Sequence, residues 1–262
     1  MFKNDLGFTL IETMIAIATA GILVASIYNL YISQSKAYMT QEQVTDMRQN
    51  ARVAMEFISR DIRTAGFGQP TWTMINNTSG ITYRGAKVTD GGMGNPDILQ
   101  IVGCVDPPPA TLASAASSGD TSITLHSGKG SKFNATTKSD IFIGELENAR
   151  VISVSGNVLN IDTNPGKSGY QGLVNVYPAG ANIHIVKRVA YTIKNTSLRR
   201  NENTGSGAQE IAVNIEDFQA TLTKPTVNFS ITARTGKKDP GHSGDGYHRM
   251  TLSSRIIARN LE

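Results

Sequence analysis

The sequence has very little of the side-chain chemistry that builds disulfide frameworks, metal centres or catalytic sites. Among its 262 residues there are one cysteine, one tryptophan and four histidines. A single thiol cannot form a disulfide within the chain, so we expect no disulfide framework. We expect Cys104 to be a small buried residue beside a strand; pairing with another chain and metal binding are the alternatives.

Catalytic and nucleotide-binding motifs are missing as well. The sequence contains no Gly-x-Ser-x-Gly elbow, no Gly-rich loop that opens a helix with Lys-Ser or Lys-Thr, and no His-Glu-x-x-His helix. We therefore expect neither an enzyme nor a bound cofactor.

One loop, from Lys237 to His248, collects two aspartates and two histidines. Such a cluster can bind a divalent metal, but the spacing matches neither an EF-hand nor a zinc template. We expect a flexible polar hairpin loop and no metal site. The other histidines, His126 and His184, stand in strand-like segments and are expected to be packed or surface residues.

The net charge of +4 is spread unevenly, with the basic excess in the C-terminal third, from Lys187 onward. A basic excess can attract DNA or anionic surfaces weakly. No interleaving of aromatic and basic residues marks a nucleic-acid groove, so we expect a solvated basic face and no nucleic-acid partner.

Charged residues are absent from Thr13 to Ser35. This run exceeds the roughly 20 residues that a helix needs to cross a hydrocarbon core of about 30 Å. An acid, Glu12, stands directly before it; a carboxylate in an apolar span costs ~2.5–3.5 kcal/mol on insertion scales and tends to be functional. Glu12 therefore needs a partner. The alternative is a plain signal anchor with an acid near the membrane interface.

Proline is absent from Phe8 to Gly68. Beyond the uncharged run, apolar residues recur at spacings of three and four, which is the pattern of a helix with one apolar face. The residues of this stripe are Val44, Met47, Ala51, Met55, Ile58 and Ile62. We predict one helix from Phe8 to Ala65, about 85 Å long at 1.5 Å per residue, with Gly66 as its C-terminal cap.

After Gly66 the sequence changes to Gly, Asn, Ser and Thr with short β-branched runs, which indicates strands and turns. We divide this part into the start of a globular domain at 66–119, ending in a Pro-, Ala- and Ser-rich linker, an inserted β module at 120–186, and the rest of the domain at 187–262. Inside the module, the predicted strands are Ser122–His126, Asp140–Ile143, Ala149–Val154 and Asn157–Ile161, with a hairpin turn at Ser155-Gly156-Asn157 between the last two. Outside the module, the predicted strands are Asp97–Gly103, Ile183–Asn195, Gln209–Thr223, Val227–Arg234 and Arg249–Arg259.

The residues around Glu12 carry a resemblance to a known family. They resemble the class III signal of type IV prepilins and of type II secretion pseudopilins, and they read Gly7-Phe8-Thr9-Leu10-Ile11-Glu12. In that family a membrane peptidase removes the leader, here residues 1–7, by cutting between Gly7 and Phe8, and N-methylates Phe8. The helix stays as an anchor, here 8–35, and later forms the filament core. The acid at the fifth mature position, Glu12 here, can pair with the terminal amine of a neighbouring subunit.

A second motif resembles the end of the first helix in PilW-type minor pilins, and it reads Asp61-Ile62-Arg63-Thr64-Ala65-Gly66-Phe67-Gly68. The closing Arg259-Asn260 is similar to the end of such subunits. The implied architecture is α+β: a long helical spine packed on an antiparallel β-sheet domain with an inserted small β module.

The resemblance implies a minor pilin that takes part in priming, assembly or capping of a type IV pilus. Its partners would be the prepilin peptidase, other minor and major pilins, and the inner membrane, which it would cross once with its C-terminal domain in the periplasm before it enters the fibre at the cell surface. Two alternatives stay open: a pseudopilin of a type II secretion system, and a pilus-tip binding or adhesion module that uses the insertion or the basic C-terminal third.

Overall fold

The computed structural model describes residues 9–72, 75–76, 82–83, 85–203 and 205–261. In this part of the chain one long α-helix precedes sixteen strands, and their pairings are antiparallel. The predicted α+β class is thereby confirmed. The chain forms two compact units: one holds the helix up to Asp46 together with Thr235–His248, and the other holds Met47–Arg234 and the residues from Arg249.

The helix, α1, spans Leu10–Arg63. It ends two residues before the predicted Ala65, and the predicted start at Phe8 lies outside the described residues. Most of the predicted apolar stripe is buried, whereas Val44 and Met55 are half-buried. The buried residues of the helix are Met47, Ala51, Ala54, Ile58, Asp61 and Ile62. Two of these, Ala54 and Asp61, were not in the stripe.

The strands β1 to β16 span, in chain order, Ile75–Asn76, Thr82–Tyr83, Ala86–Thr89, Ile98–Gly103, Ala110–Thr111, Ser122–Thr124, Asp140–Ile143, Glu147–Ser155, Val158–Asp162, Asn182–Ile185, Lys187–Lys194, Ser197–Asn201, Ala208–Val213, Ile215–Thr223, Thr226–Arg234 and Arg249–Ile257. A short 3-10 helix occupies Gly130–Lys132. The sheets have the orders β1-β2, β13-β12-β11-β4-β3, β14-β15-β16 and β5-β10-β7-β8-β9-β6.

The five-stranded and three-stranded sheets form the domain against which the helix from Met47 to Arg63 packs. Tyr191 of β11 is fully buried, and its hydroxyl oxygen lies 3.2 Å from the carbonyl oxygen of Phe57 on the helix. Each sheet also contributes fully buried side chains to the core of this unit, among them Leu99, Ile101, Phe218 and Ile231.

Two of the long predicted strands are each divided in the structure. The predicted Ile183–Asn195 strand breaks at Val186, so that its first part, β10, belongs to the six-stranded sheet and its second part, β11, to the five-stranded sheet. The predicted Gln209–Thr223 strand breaks at Asn214, whose φ of 58° is in the left-handed region. Asparagine adopts this conformation more readily than other non-glycine residues, and the residue re-directs the chain from one sheet to another.

The six-stranded sheet has a hydrophobic core of its own, which includes Leu112, Ile123, Ile141, Leu159 and Ile183. Its strand β7 has the predicted bounds, and the predicted turn at Ser155-Gly156-Asn157 joins β8 to β9. The predicted linker is wrong in part, because Ala110–Thr111 forms β5 and pairs with β10. The domain boundaries at residues 120 and 186 stay predictions.

The helix is followed by Gly66, the predicted cap, which takes a φ of 82°. A Cβ atom at this position would lie 2.3 Å from the carbonyl oxygen of Asn260, where the C-terminal segment returns to the helix end. Both the backbone conformation and the close approach of Asn260 therefore require glycine.

Replacing Gly66 with alanine is expected to lower the free energy of unfolding by ~2–4 kcal/mol, because the left-handed conformation costs ~1–2 kcal/mol for an L-residue and the overlap adds to it. Urea unfolding of the full chain in detergent measures the change. Gly180→Ala is the matched control: its φ is 86°, and a Cβ atom there meets nothing within 4 Å. An equal effect of both substitutions would contradict the role of the Asn260 approach.

Candidate assembly site at the start of the helix

The start of the helix is closed by a reciprocal pair of hydrogen bonds between Thr9 and Glu12. The Glu12 Oε2 atom accepts from the Thr9 backbone nitrogen at 2.9 Å and from the Thr9 hydroxyl at 2.9 Å. The Thr9 Oγ1 atom accepts in turn from the Glu12 backbone nitrogen at 3.3 Å. This is a capping box, in which the side chains of the N-cap residue and of the third helical residue satisfy free backbone donors.

Glu12 therefore has a partner within its own chain, which the sequence analysis did not anticipate. The signal was present, because Thr9 and Glu12 have the Thr-x-x-Glu spacing of a capping box. Only one carboxylate oxygen is used: among the described residues, Glu12 Oε1 makes no hydrogen bond. The predicted processing residues, Gly7 and Phe8, lie outside the described residues, so cleavage and methylation stay predictions.

The helix beyond Glu12 presents apolar side chains around its whole circumference. From Leu10 to Tyr31 the large apolar side chains are exposed, from 58% at Leu30 to 83% at Leu10. Its most apolar 18-residue window has a mean hydropathy of 2.1 and no buried residue, so the helix is long and apolar enough to cross a membrane.

The threonine and serine hydroxyl groups between Leu10 and Ser26 are satisfied within the helix. Thr13, Thr19 and Ser26 donate to the carbonyl oxygens of the residues four positions earlier, at 3.2, 3.0 and 2.8 Å. Internal hydrogen bonds of this kind remove the cost of placing a polar group where water is absent. Glu12 is the one charged side chain from Leu10 to Tyr31, and its Oε1 atom is left for a partner from outside.

The loop Thr235–His248 connects β15 to β16 and contains Lys237–His248, which was predicted to be a polar hairpin loop. His248 Nε2 lies 3.0 Å from Asp239 Oδ2, and the His242 and His248 ring centroids are 4.0 Å apart. The hydrogen bond with His248 lowers the pKa of Asp239 below its ordinary value. In the part of the chain that the structure describes, no group of three or more His, Cys, Asp or Glu side chains has the arrangement of a metal site.

Cys104 is buried directly after β4, as predicted, and its thiol is free in this chain. It packs in a small cluster with Val102, Phe142 and Val186, and burial raises the pKa of its thiol to about 12. A thiol with such a pKa is protonated at neutral pH and unreactive.

The two strand-region histidines differ in their surroundings. His126 is exposed just after β6. His184 is buried in β10 with its ring edge-on to Phe67, and burial lowers its pKa. A groove of about 930 Å³ along β14, β15 and β16 has a mixed lining that includes Asp97, Arg255 and Phe229, and among the described residues it holds no cysteine or histidine.

A buried charged network lies at the end of the helix, and the sequence analysis missed it. Asp61 is fully buried on the helix. Its Oδ2 atom accepts a hydrogen bond from the Tyr191 hydroxyl at 2.6 Å and one from Arg200 Nε at 2.7 Å. Burial alone would lower the pKa of Arg200, but the hydrogen bond and charge of Asp61 raise it, so the guanidinium stays charged.

The network continues outward through Glu202 and Lys187. Glu202 accepts hydrogen bonds from Arg200 Nη1 and, at 2.6 Å, from Lys187 Nζ. Lys187 Nζ is also bonded to Asp106. Acids and bases thus alternate along one line from the helix to the surface of β11 and β12, and this arrangement compensates each buried charge.

The free energy of unfolding is expected to depend on Glu202 at acid pH. Burial alone would raise the pKa of Glu202, but hydrogen bonds from Lys187 and Arg200 outweigh it and lower the pKa. A lowered folded-state pKa gives a contribution that is present above the ordinary glutamate pKa of about 4.3 and lost as the pH falls through the lowered value. Glu202→Gln should therefore be less stable than the unmodified chain near neutral pH, and the difference should shrink below about pH 4.

Urea unfolding at several pH values between about 3 and 7 measures this dependence. Glu210→Gln is the control, since Glu210 is exposed on β13. A stability difference for Glu202→Gln that stays constant over the whole pH range would contradict the prediction.

Comparison with known families gives one finding. Residues 2–28 match the family model described as the prokaryotic N-terminal methylation motif. No curated protein and no solved structure matches the chain significantly. The match covers Gly7, Phe8 and Glu12 and the first part of the apolar helix, and it supports a type IV prepilin-like family with a pilin-like or pseudopilin role.

Proposed function

We propose that this chain is a minor pilin subunit that takes part in priming, assembly or capping of a type IV pilus. It acts after cleavage between Gly7 and Phe8 and N-methylation of Phe8. The observation that carries the proposal is the helix from Leu10 to Tyr31, which is apolar and exposed around its circumference and begins with an acid. The match to the N-terminal methylation motif supports the same assignment.

A helix that is apolar all round is stable only where lipid or other apolar helices surround it. Before assembly the inner membrane supplies these surroundings, with one crossing and the C-terminal domain in the periplasm. During assembly the apolar helices of neighbouring pilins replace the lipid. The free energy of the helix changes little when one apolar environment replaces another, so the same surface serves as anchor and as filament core.

Glu12 gives this nonspecific apolar packing a fixed register. Its Oε2 atom is used by the capping box with Thr9, and its Oε1 atom is available to accept a hydrogen bond from the terminal amine of a neighbour's first residue. Two charges that leave water together offset part of each other's desolvation cost, provided that the geometry is good. Sliding one helix along another would separate them, so one axial position is favoured.

The PilW-type assignment rests on the resemblance of Asp61–Gly68, and the structure gives these residues a role in the fold. Asp61 bonds to two strands of the five-stranded sheet, and Gly66 permits the close approach of Asn260. The motif thus joins the spine to the domain.

Intact mass and N-terminal sequencing of the protein from sheared surface fibres tests the proposal. The expected result is a chain that begins at N-methylated Phe8 in the fibre fraction. A chain that still begins at Met1 would overturn it. A processed chain found only in the inner membrane would overturn the fibre role and leave a transient primer or a secretion role.

A pseudopilin of a type II secretion system is the second candidate, because the N-terminal methylation motif supports both roles. A deletion strain separates them. Loss of twitching with intact protein secretion is expected for the pilus role, and the reverse phenotype would assign the secretion role.

A further inference from the structure

In the unit that holds Met47–Arg234 and the residues from Arg249, the sheets protect most of their edges, and among the described residues one long edge is left open. The edge strands β3, β5 and β6 have four residues or fewer. The pairing of β13 is interrupted by a bulge at Leu198/Arg199. The edge of β14 is covered by Asp97, whose backbone nitrogen donates to the Phe218 carbonyl at 2.8 Å and whose Oδ2 accepts from the Ala220 nitrogen at 2.8 Å. Short strands, bulges and covering segments are how proteins prevent pairing at sheet edges.

The exception is β16, which spans nine residues, Arg249–Ile257. It pairs with β15 along its whole length without a register shift. Within the described ranges, no strand pairs with its other side. A regular strand of this length presents a row of free backbone donors and acceptors to an incoming strand.

The side chains of β16 form two rows of different character. The outer row is exposed and consists of Arg249, Thr251, Ser253, Arg255 and Ile257, whereas the inner row is half-buried and consists of Met250, Leu252, Ser254 and Ile256. An added strand would complete the cover of the inner row with apolar side chains. On the other face, the side chains of the added strand would lie beside the hydroxyl and arginine side chains of the outer row of β16.

The charge of the outer row selects the kind of partner. Arg249 Nε is held by Glu216 at 2.6 Å. Arg255 forms no hydrogen bond or ion pair with the described residues, and the exposed Arg259 follows the strand. A second copy of β16 would add two more arginines and no acid to the same row. An acidic side chain opposite Arg255 would instead form a favourable cross-strand pair.

We propose that the free edge of β16 binds an extended segment of a partner protein by strand addition. The segment alternates apolar residues, which extend the inner row, with polar residues that include an acid opposite Arg255. This surface shares no residue with the apolar helix, so the proposal can be tested separately from the assembly role of Glu12.

The experiment uses the full chain in detergent micelles and a labelled nine-residue peptide in which valine and glutamate alternate. Fluorescence anisotropy measures its affinity, and hydrogen exchange with mass spectrometry locates the protected amides. We expect protection at Arg249–Ile257 and tighter binding than for a peptide with lysine in place of glutamate. Arg255→Glu should reverse this preference, by up to about fivefold for one cross-strand pair. Lys194→Glu, an exposed basic residue of β11, should leave it unchanged.

A second measurement keeps the test independent of how the variant folds. Two further peptides carry N-methyl groups on alternate amides, one at the odd-numbered and one at the even-numbered positions, and their affinity for the unmodified chain is measured. The peptide whose N-methyl groups replace the amide hydrogens that face β16 should lose binding. Below, the two positions of the N-methyl groups are called the two phases. Equal affinity of both phases, an unchanged preference in Arg255→Glu, or protection outside Arg249–Ile257 would each overturn the proposal.

Discussion

Replacing Asp61 with alanine is expected to lower the free energy of unfolding by ~3–5 kcal/mol, because it leaves the Arg200 guanidinium buried without its main counter-charge. The Tyr191 hydroxyl loses its hydrogen-bond acceptor in the same substitution. Since domains are commonly stable by only ~5–15 kcal/mol, a large part of the molecules should unfold under mild conditions. Urea unfolding of the full chain in detergent, followed by far-ultraviolet circular dichroism, measures the loss.

Matched variants separate the buried charge from the rest of the helix. Glu56→Ala removes an exposed acid from the same part of the helix and should change stability by less than about 0.5 kcal/mol. The double variant Asp61→Ala with Arg200→Met removes both charges and should recover part of the loss, because the uncompensated guanidinium is gone. A loss of less than about 1 kcal/mol in Asp61→Ala would contradict the structural role of the pair.

Replacing Glu12 with alanine is expected to reduce recovery of the protein in sheared fibres at least tenfold, while cleavage after Gly7 continues. The proposed reason is loss of the pair with a neighbour's terminal amine. The alanine variant leaves the neighbour's terminal amine charged and unpaired, and a lone charge in an apolar span costs ~2.5–3.5 kcal/mol, roughly a hundredfold in an equilibrium, so a tenfold decrease is a conservative expectation. Immunoblots of the sheared and membrane fractions measure the ratio.

Two further variants separate the capping role of this residue from its pairing role. Thr9→Val breaks the capping box at a cost of about 1 kcal/mol but keeps the acid, so incorporation should persist. Glu12→Gln keeps an acceptor for Thr9 but removes the charge, so incorporation should fall as in the alanine variant. Glu42→Ala, an exposed acid farther along the helix, is the control. Normal recovery of Glu12→Ala would contradict the pairing mechanism.

Features with a local signal in the sequence were predicted well. The helix follows from apolar spacing and the absence of proline, and its end at Arg63 lies close to the prediction. The strand Asp140–Ile143 has the predicted bounds. The turn between β11 and β12 was missed because Asn195 and Thr196 both take positive φ, of 53° and 56°, without a glycine to mark them. The strand β12 after the turn was therefore missed too.

Features that depend on distant residues had no such signal. Asp61 stands between Arg60 and Ile62 on an amphipathic helix, where an acid is ordinarily solvated. Its partners, Tyr191 and Arg200, are 130 and 139 positions away, and nothing near them indicates an acid to pair with. The capping box of Glu12 is the opposite case, because its Thr-x-x-Glu pattern lies within four consecutive residues.

The chain leaves the five-stranded sheet at the end of β4, forms the six-stranded sheet, and returns to the five-stranded sheet at the start of β11. The last residue of β4, Gly103, is the direct pairing partner of Lys187, the first residue of β11. If a two-residue turn replaced the chain from Cys104 to Val186, the two strands would form an ordinary hairpin. The pairing of β4 with β11 therefore does not require the segment between them, and this part of the surface can differ in length or sequence while that pairing persists.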